Sequence, residues 1–368
     1  MAAEIPIIDA HIHLFPESEL ETLAWYKPGH PLAKQHSIEE YKAATGESQP
    51  KGFIFIETDR KNDLEAGAKD GSGWEAPLQE ISWLRRIATG QPKDGEGHTP
   101  ADAALCTAIV PWAPLPSGPA VLERYLALAE KEAGDSWPKV RGFRYLLQDK
   151  PAGTMLQDNF IESLRLLGRK GYVFDLGVDQ HNRGRAQLEE VVEMIDRAHD
   201  GVPEEQKVTF IINHMCKPDL TVYNVQTSTS FIAWRTAMFT LSKCSRTYMK
   251  LSGGFPEMPD SLRRRPAEDI FDAVSPWLSV VLAAFGPARI MFASDWPVCA
   301  AAFAHDDEGK GEGEGEEGGD GEKEKEKENA WAKWKKIVDR LCWMASYEDE
   351  EKALIWGGTA LKAYGIQA

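Results

Sequence analysis

Near the N-terminus the run Ile7-Ile8-Asp9-Ala10-His11-Ile12-His13 is mostly apolar and closes on two histidines two positions apart. Side chains alternate faces along a β-strand, so His11 and His13 project together where the apolar run gives out. Two converging imidazoles can ligate a metal ion, move a proton or polarise a carbonyl, whereas the plainer use is a hydrogen-bonded structural pair. Groups of matching chemistry close other apolar runs: Arg144, Asn213-His214 and Ser294-Asp295-Trp296-Pro297. Asp295 near imidazoles could serve as a general acid/base, although an aspartate after a strand is also a common turn or helix cap. Cys216 and Cys299 flank these motifs without a paired base, which argues against cysteine nucleophile chemistry.

The elements that must carry these residues are legible from periodicity. Runs starting near Ile5, Gly52, Ala104, Val140, Tyr172, Val208, Tyr248 and Arg289 read as strands, each followed by polar or Gly/Pro punctuation and a helical pattern. Ser117 to Gly134 predicts a helix with a capping serine and closing glycine, and Leu188, Val191, Val192 and Ile195 trace a helical stripe. No Gly-x-Gly-x-x-Gly follows the first strand, so the alternation predicts a single-domain α/β chain, a (β/α)8 TIM barrel spanning 1–368. In such barrels the active site lies at the C-terminal strand ends, where the reactive groups above fall.

Composition narrows the function classes. With 42 basic against 58 acidic residues and a net charge of -16, the surface would repel a nucleic-acid backbone or an anionic membrane, so neither is an expected partner. Half of that charge sits in Asp306 to Glu328, and the Gly/Glu/Lys-rich segment 305–329 predicts a disordered insertion after strand eight. Five widely spaced cysteines without a Cys-x-x-Cys pair, no signal-like N-terminus and no transmembrane run predict a cytoplasmic protein.

The motifs Asp-Ala-His-Ile-His, Val140-Arg141-Gly142-Phe143-Arg144, Asn-His-Met-Cys-Lys-Pro, Lys-Leu-Ser-Gly and Ser-Asp-Trp-Pro resemble the amidohydrolase superfamily. Together with the tail from Ile355-Trp356-Gly357-Gly358 to Tyr364-Gly365, they look like its rhamnonolactonase- and fuconolactonase-like branch of sugar-lactone hydrolases. The resemblance covers the chain apart from the acidic segment. It implies metal or carbonyl-polarising roles for His11 and His13, a catalytic role for His214 and a catalytic carboxylate at Asp295. It departs from the fuller metal pattern at strand five, Phe174-Asp175-Leu176-Gly177-Val178-Asp179, which has neither the histidine of the decarboxylases nor the bridging lysine of the dinuclear hydrolases. One divalent ion, Zn or Mn, on His11, His13 and Asp295 fits the pattern, as does metal-independent hydrolysis.

The implied substrate is a small-molecule lactone, L-rhamnono-1,4-lactone or a similar aldonolactone. Arg144, Lys217, His181 just beyond strand five, Trp296 and Trp25 are the candidate substrate-binding residues. Trp25 stands in the long aromatic loop from Phe15 to Tyr41, which can close over a ligand or pack on the barrel rim. Arg141, three residues before Arg144, is expected on the opposite face in a structural role. The rival readings are a metal-dependent decarboxylase of an aromatic or muconate-type acid and a non-catalytic barrel serving as a binding module. Oligomeric state is not legible.

Overall fold

The computed structural model describes residues 5–303 and 329–367. The predicted insertion 305–329 therefore lies outside the described residues except for Asn329. That residue is the N-cap of helix Ala330–Met344, its side chain accepting from the Ala332 amide.

Eight parallel strands form the centre: β1 Ile8–Ile12, β2 Gly52–Ile56, β3 Cys106–Val110, β4 Gly142–Arg144, β5 Val173–Leu176, β6 Phe210–Ile212, β7 Thr247–Leu251 and β8 Ile290–Phe292. Regular pairing joins β1-β2-β3 and β4 through β8. Single parallel bridges close the two seams, Ile109 with Val140 and Trp112 with Arg144 at one, Ile12 with Trp296 at the other. At the second seam the Asp295 amide donates to the His11 carbonyl (2.9 Å) and the His13 amide to the Trp296 carbonyl (2.8 Å). The result is a closed (β/α)8 barrel.

A helix follows each strand, including Glu75–Thr89, Pro119–Ala133, Gln180–His199 and Ala267–Phe285. Helix Pro119–Ala133 starts from Gly118 rather than from the expected serine cap, because Ser117 closes a preceding 3-10 turn. Strands covered on both sides are buried throughout, as parallel sheets require. Phe53, Phe55, Phe174, Ile212 and Leu251 pack outward against the helices. Ile8, Ala10, Ile54, Ile56, Val110, Ile211 and Met291 fill the barrel interior, plugged by Tyr364 from the C-terminal end. No helix among the described residues is long and apolar enough to cross a membrane. All five cysteines are free thiols.

One irregularity decides the direction of the paired histidines. In strict alternation His11 and His13 would share the side of Asp9, which faces outward to Tyr41 and Trp331. The pairing of β1 with β2 instead shifts register between Asp9 and Ile12. Ile8 and Ala10 lie in the interior cluster while Ile12 and Leu14 join the outer one, so the alternation reverses across Ala10-His11 and both imidazoles turn inward.

Candidate active site

Asp295 follows β8, two residues beyond Ala293 in the interior cluster, and its carboxylate points across the barrel mouth. The Nε2 atoms of His11, His13 and His214 lie 3.6, 3.5 and 3.7 Å from the same oxygen, Asp295 Oδ1. The His11 ring centroid is 4.8 Å from that of His13 and 4.6 Å from that of His214. Asp295 does not act as the side-chain cap of the following short helix, Val298–Ala301, whose N-cap is Pro297.

The backbone is bent to make this convergence. Asp295 (φ 61°) and the run His214, Met215, Cys216 and Lys217 (φ 52°, 54°, 61° and 47°) are all left-handed without being glycine. Each such residue costs on the order of 1 kcal/mol, and a run of four is tolerated only where the surroundings impose it. Gly253, also left-handed, makes room for His214: a Cβ there would lie 2.6 Å from the imidazole Cγ and Nδ1. Ser252 Oγ sits 2.8 Å from His214 Nδ1 and fixes the ring.

Hydrogen-bond partners assign the protons of the β1 pair. His13 Nδ1 lies 2.9 Å from the Ile56 carbonyl, which can only accept, so His13 carries its proton there and presents a bare Nε2. Lys250 Nζ lies 3.1 Å from His11 Nδ1 and 3.0 and 2.9 Å from the two oxygens of Asp175. An ammonium can only donate, so His11 accepts at Nδ1 and keeps its proton on Nε2, which donates to His13 Nε2 across 3.1 Å. Asp175 also accepts from the Tyr364 hydroxyl. Lys250 and Asp175 are fully buried on β7 and β5, and an ion pair is what lets either stay charged there.

Burial and neighbouring cations hold His11 and His214 neutral. His11 is pushed well below its usual range by burial, then by Lys250, and His214 falls to about 3, chiefly through burial against the pull of Asp295. Burial would raise Asp295, but His214, the His13 contact and Lys217 more than offset it, so the carboxyl lies below its ordinary value. Burial brings Lys250 down to about 8 although Asp175 opposes the change. The site at neutral pH thus sets an ionised carboxylate beside neutral His11 and His214.

A cavity of about 580 Å³ opens beside this cluster, walled by the loops after β1, β2, β4, β7 and β8. His13 lies on its wall, as do Trp25, Glu57, Asp59 and Arg144. Trp25 packs on Phe15 and donates from its indole to the Thr58 carbonyl (2.9 Å), so the first loop folds over the rim with an aromatic face to the cavity.

The other candidates are placed differently. Lys217 is 3.8 Å from Glu257, and His181 Nδ1 is 2.7 Å from the same carboxylate, so Glu257 ties both to the loop after β7 and keeps His181 off the cavity wall. Trp296 is buried with its ring edge-on to Tyr41 and His36, 5.4 Å from each, and packs the rim from behind. Arg141 Nη2 donates to the Gly365 carbonyl (2.6 Å) on the outer side, as its spacing from Arg144 predicts. Three participants escaped sequence reading: Glu57, Asp175 and Lys250. A single charge at an inward position of an otherwise apolar strand, as at Asp175 and Lys250, is the signal that marks them.

His11, His13 and Asp295 form a group that could hold one metal ion, with ligand atoms all within 4.8 Å of one another. His13 Nε2 and the carboxylate fit as they stand. His11 fits once its proton moves to Nδ1, which requires Lys250 to accept rather than donate.

Comparison with known proteins agrees with this architecture. Residues 101–366 match the Amidohydro_2 (amidohydrolase) family model. The chain is 32% identical over 371 residues to an L-rhamnono-gamma-lactonase of Scheffersomyces stipitis, covering 98% of each chain. It is 29% identical to an L-fucono-1,5-lactonase of Burkholderia multivorans, covering 79% of this chain and 84% of that one. Among solved structures, an amidohydrolase from Burkholderia multivorans crystallised with bound zinc superposes with a TM-score of 0.66 at 23% identity, covering 98% of this chain and all of the other. The inward-turned histidines of β1, the strand-six histidine and the aspartate after β8 thus sit in a chain that belongs to the amidohydrolase family.

Proposed function

We propose that this protein hydrolyses a sugar-derived lactone, an aldonolactone such as L-rhamnono-1,4-lactone. The observation that carries the reading is the set of three imidazole Nε2 atoms within 3.5 to 3.7 Å of Asp295 Oδ1, beside a cavity of about 580 Å³ with ample room for a sugar ring. The names of the two lactonase relatives supply the substrate class.

Ester hydrolysis by water needs a base for the nucleophile, donors for the developing oxyanion and a proton for the departing alkoxide. Asp295 Oδ1 accepts one hydrogen of a water bound beside it and so turns a lone pair of that water toward the carbonyl carbon, while His13 Nε2 stays occupied by the His11 N–H. Asp295 takes one proton as the C–O bond forms. In this scheme the Ser252 hydroxyl donates to Nδ1, so His214 carries an N–H on Nε2 and supplies the field for the oxyanion. When the tetrahedral intermediate collapses and the ring C–O bond breaks, Asp295 returns the proton to the ring oxygen, giving the open hydroxy acid. Bound through His11, His13 and Asp295, one divalent ion would add Lewis-acid polarisation and a more acidic water. Arg144 and Trp25 on the cavity wall orient the substrate.

A pH-indicator assay of purified protein against a panel of aldono-1,4- and 1,5-lactones, with and without chelator, tests the reading. Acid release from at least one aldonolactone is expected. Inertness on all of them, with carbon dioxide release from an aromatic acid, would replace it with the decarboxylase alternative.

A further inference from the structure

Two groups on the cavity wall keep buried polar atoms without a hydrogen-bond partner among the described residues: Glu57 Oε1 and Arg144 Nε. Glu57 is 1% exposed and Arg144 5%. They face each other with Arg144 Nη1 3.6 Å from Glu57 Oε1, too long for a hydrogen bond. Leaving a buried donor and a buried acceptor unmatched costs about 1–3 kcal/mol apiece, so a pair of them on two residues of one cavity wall points to a ligand that completes both.

Both side chains are held from behind. The Glu57 amide donates to the Val110 carbonyl (2.9 Å), and Glu57 Oε2 accepts from the Asp59 amide (2.5 Å), so only Oε1 is left to the cavity. Arg144 closes the β3-β4 seam through its own amide and carbonyl, and Gly177 leaves space for its guanidinium, since a Cβ there would lie 3.2 Å from Nη2. His13 Nδ1 donates to the carbonyl of Ile56, the residue before Glu57, so the pair stands next to the reacting groups.

The chemistry of the wall restricts the ligand. Asp59 and Asp149 join Glu57 there, so a carboxylate would meet three acidic side chains and two arginines each already facing an acid, Arg144 with Glu57 and Arg263 with Asp260. An ammonium would meet Arg144. A hydroxyl suits both atoms, because its oxygen accepts from Nε while its hydrogen is offered to a carboxylate. Burial pushes the Glu57 carboxyl up to about 8 against the pull of Arg144, and a hydroxyl serves either protonation state.

We propose that Glu57 Oε1 and Arg144 Nε form a hydroxyl-recognition subsite that selects lactones bearing a free hydroxyl near the reacting carbonyl over lactones without one. The inference rests on the lactonase reading and assigns its preference for a sugar-derived substrate to these two residues.

The test compares kcat/KM for a hydroxylated aldono-1,4-lactone with that for γ-butyrolactone, in wild type, Glu57→Gln and Arg144→Lys. Glutamine keeps the length of the side chain and an oxygen for the Asp59 amide, but puts an amide NH₂ where Oε1 stood. Lysine keeps the charge and removes Nε. Each variant should lower the ratio of the two kcat/KM values at least tenfold, mainly through KM for the hydroxylated lactone. An equal fall on both lactones would show a structural role, and an unchanged ratio would show no role; either overturns the subsite. Should Glu57→Gln fail to fold, Arg144→Lys reads the same ratio. A wild type inert on every lactone overturns the lactonase reading itself, and is seen before any variant is compared.

Discussion

The Lys250 ammonium donates to His11 Nδ1 across 3.1 Å, from inside the barrel and 239 positions away in sequence. A catalytic-site tautomer is thereby set by a strand-seven lysine that is itself fixed by Asp175 on β5 and, through it, by Tyr364 at the C-terminal end. The same contact governs metal affinity, since His11 can ligate through Nε2 only when Lys250 ceases to donate.

Removing the lysine alone strands a buried carboxylate and should cost about 3–5 kcal/mol, which would confuse stability with catalysis. The double variant Asp175→Asn/Lys250→Met avoids this, because asparagine still accepts from Tyr364 and no charge is left unpaired. It should recover most of the melting temperature lost in Lys250→Met, yet turn over the best lactone roughly ten- to a hundredfold more slowly than wild type. Wild-type turnover in a stable double variant would show that the pair only fills the barrel.

Gly253→Ala probes the seat of His214. The new methyl meets the imidazole at 2.6 Å and the position is left-handed, so the ring must leave its bond to Ser252. Turnover should fall at least tenfold while circular dichroism shows a folded barrel. A variant with unaltered kcat would mean that the position of this ring is immaterial.

Acid should destabilise the metal-free protein well before carboxylates protonate. His11 lies well below its usual range, His36 is lowered to about 4 and His214 to about 3, burial being the first cause for each. All three stay neutral in the fold while their unfolded counterparts protonate below about pH 6.5, so unfolding takes up protons there. Their stabilisation is full above pH 6.5 and is lost as pH falls toward 4, by up to about 1.4 kcal/mol per pH unit for each histidine. Glu57, raised to about 8, acts oppositely and loses its contribution as pH rises from about 4.5 to 8. Urea midpoints measured with chelator at pH 7 and pH 5 should differ clearly, with the lower value at pH 5; equal midpoints would count against neutral buried imidazoles.

Metal content should not exceed about one equivalent per chain. Among the described residues His11, His13 and Asp295 are the one group with metal-ligand geometry, and the lysine nearest to it is engaged with Asp175. Elemental analysis of protein purified without chelator that found two tightly held equivalents would contradict this.

The strand ends were legible in sequence because buried parallel strands are written as short apolar runs, and the residue that ends each run is the one at the barrel mouth. That logic found His11, His13, His214, Asp295 and Arg144. It could not find the register shift in β1, since a bulge leaves no mark on an apolar run, although the shift turns the histidines inward. Glu57 was hidden because it closes Gly52–Ile56 as one polar residue among several in Glu57-Thr58-Asp59. Position along the chain marks Trp296 and His181 as candidates but does not fix where the side chains go: packing against Tyr41 and pairing with Glu257 take them elsewhere.

In the proposed hydrolysis Asp295 carries the proton between water and the leaving alkoxide. Asp295→Asn nearly preserves shape and removes proton acceptance, so kcat on the best aldonolactone, measured beside a melting curve, tests it most directly. Turnover should fall roughly 10² to 10⁴-fold with the melting temperature nearly maintained. A stable Asp295→Asn protein with near-normal kcat would contradict it.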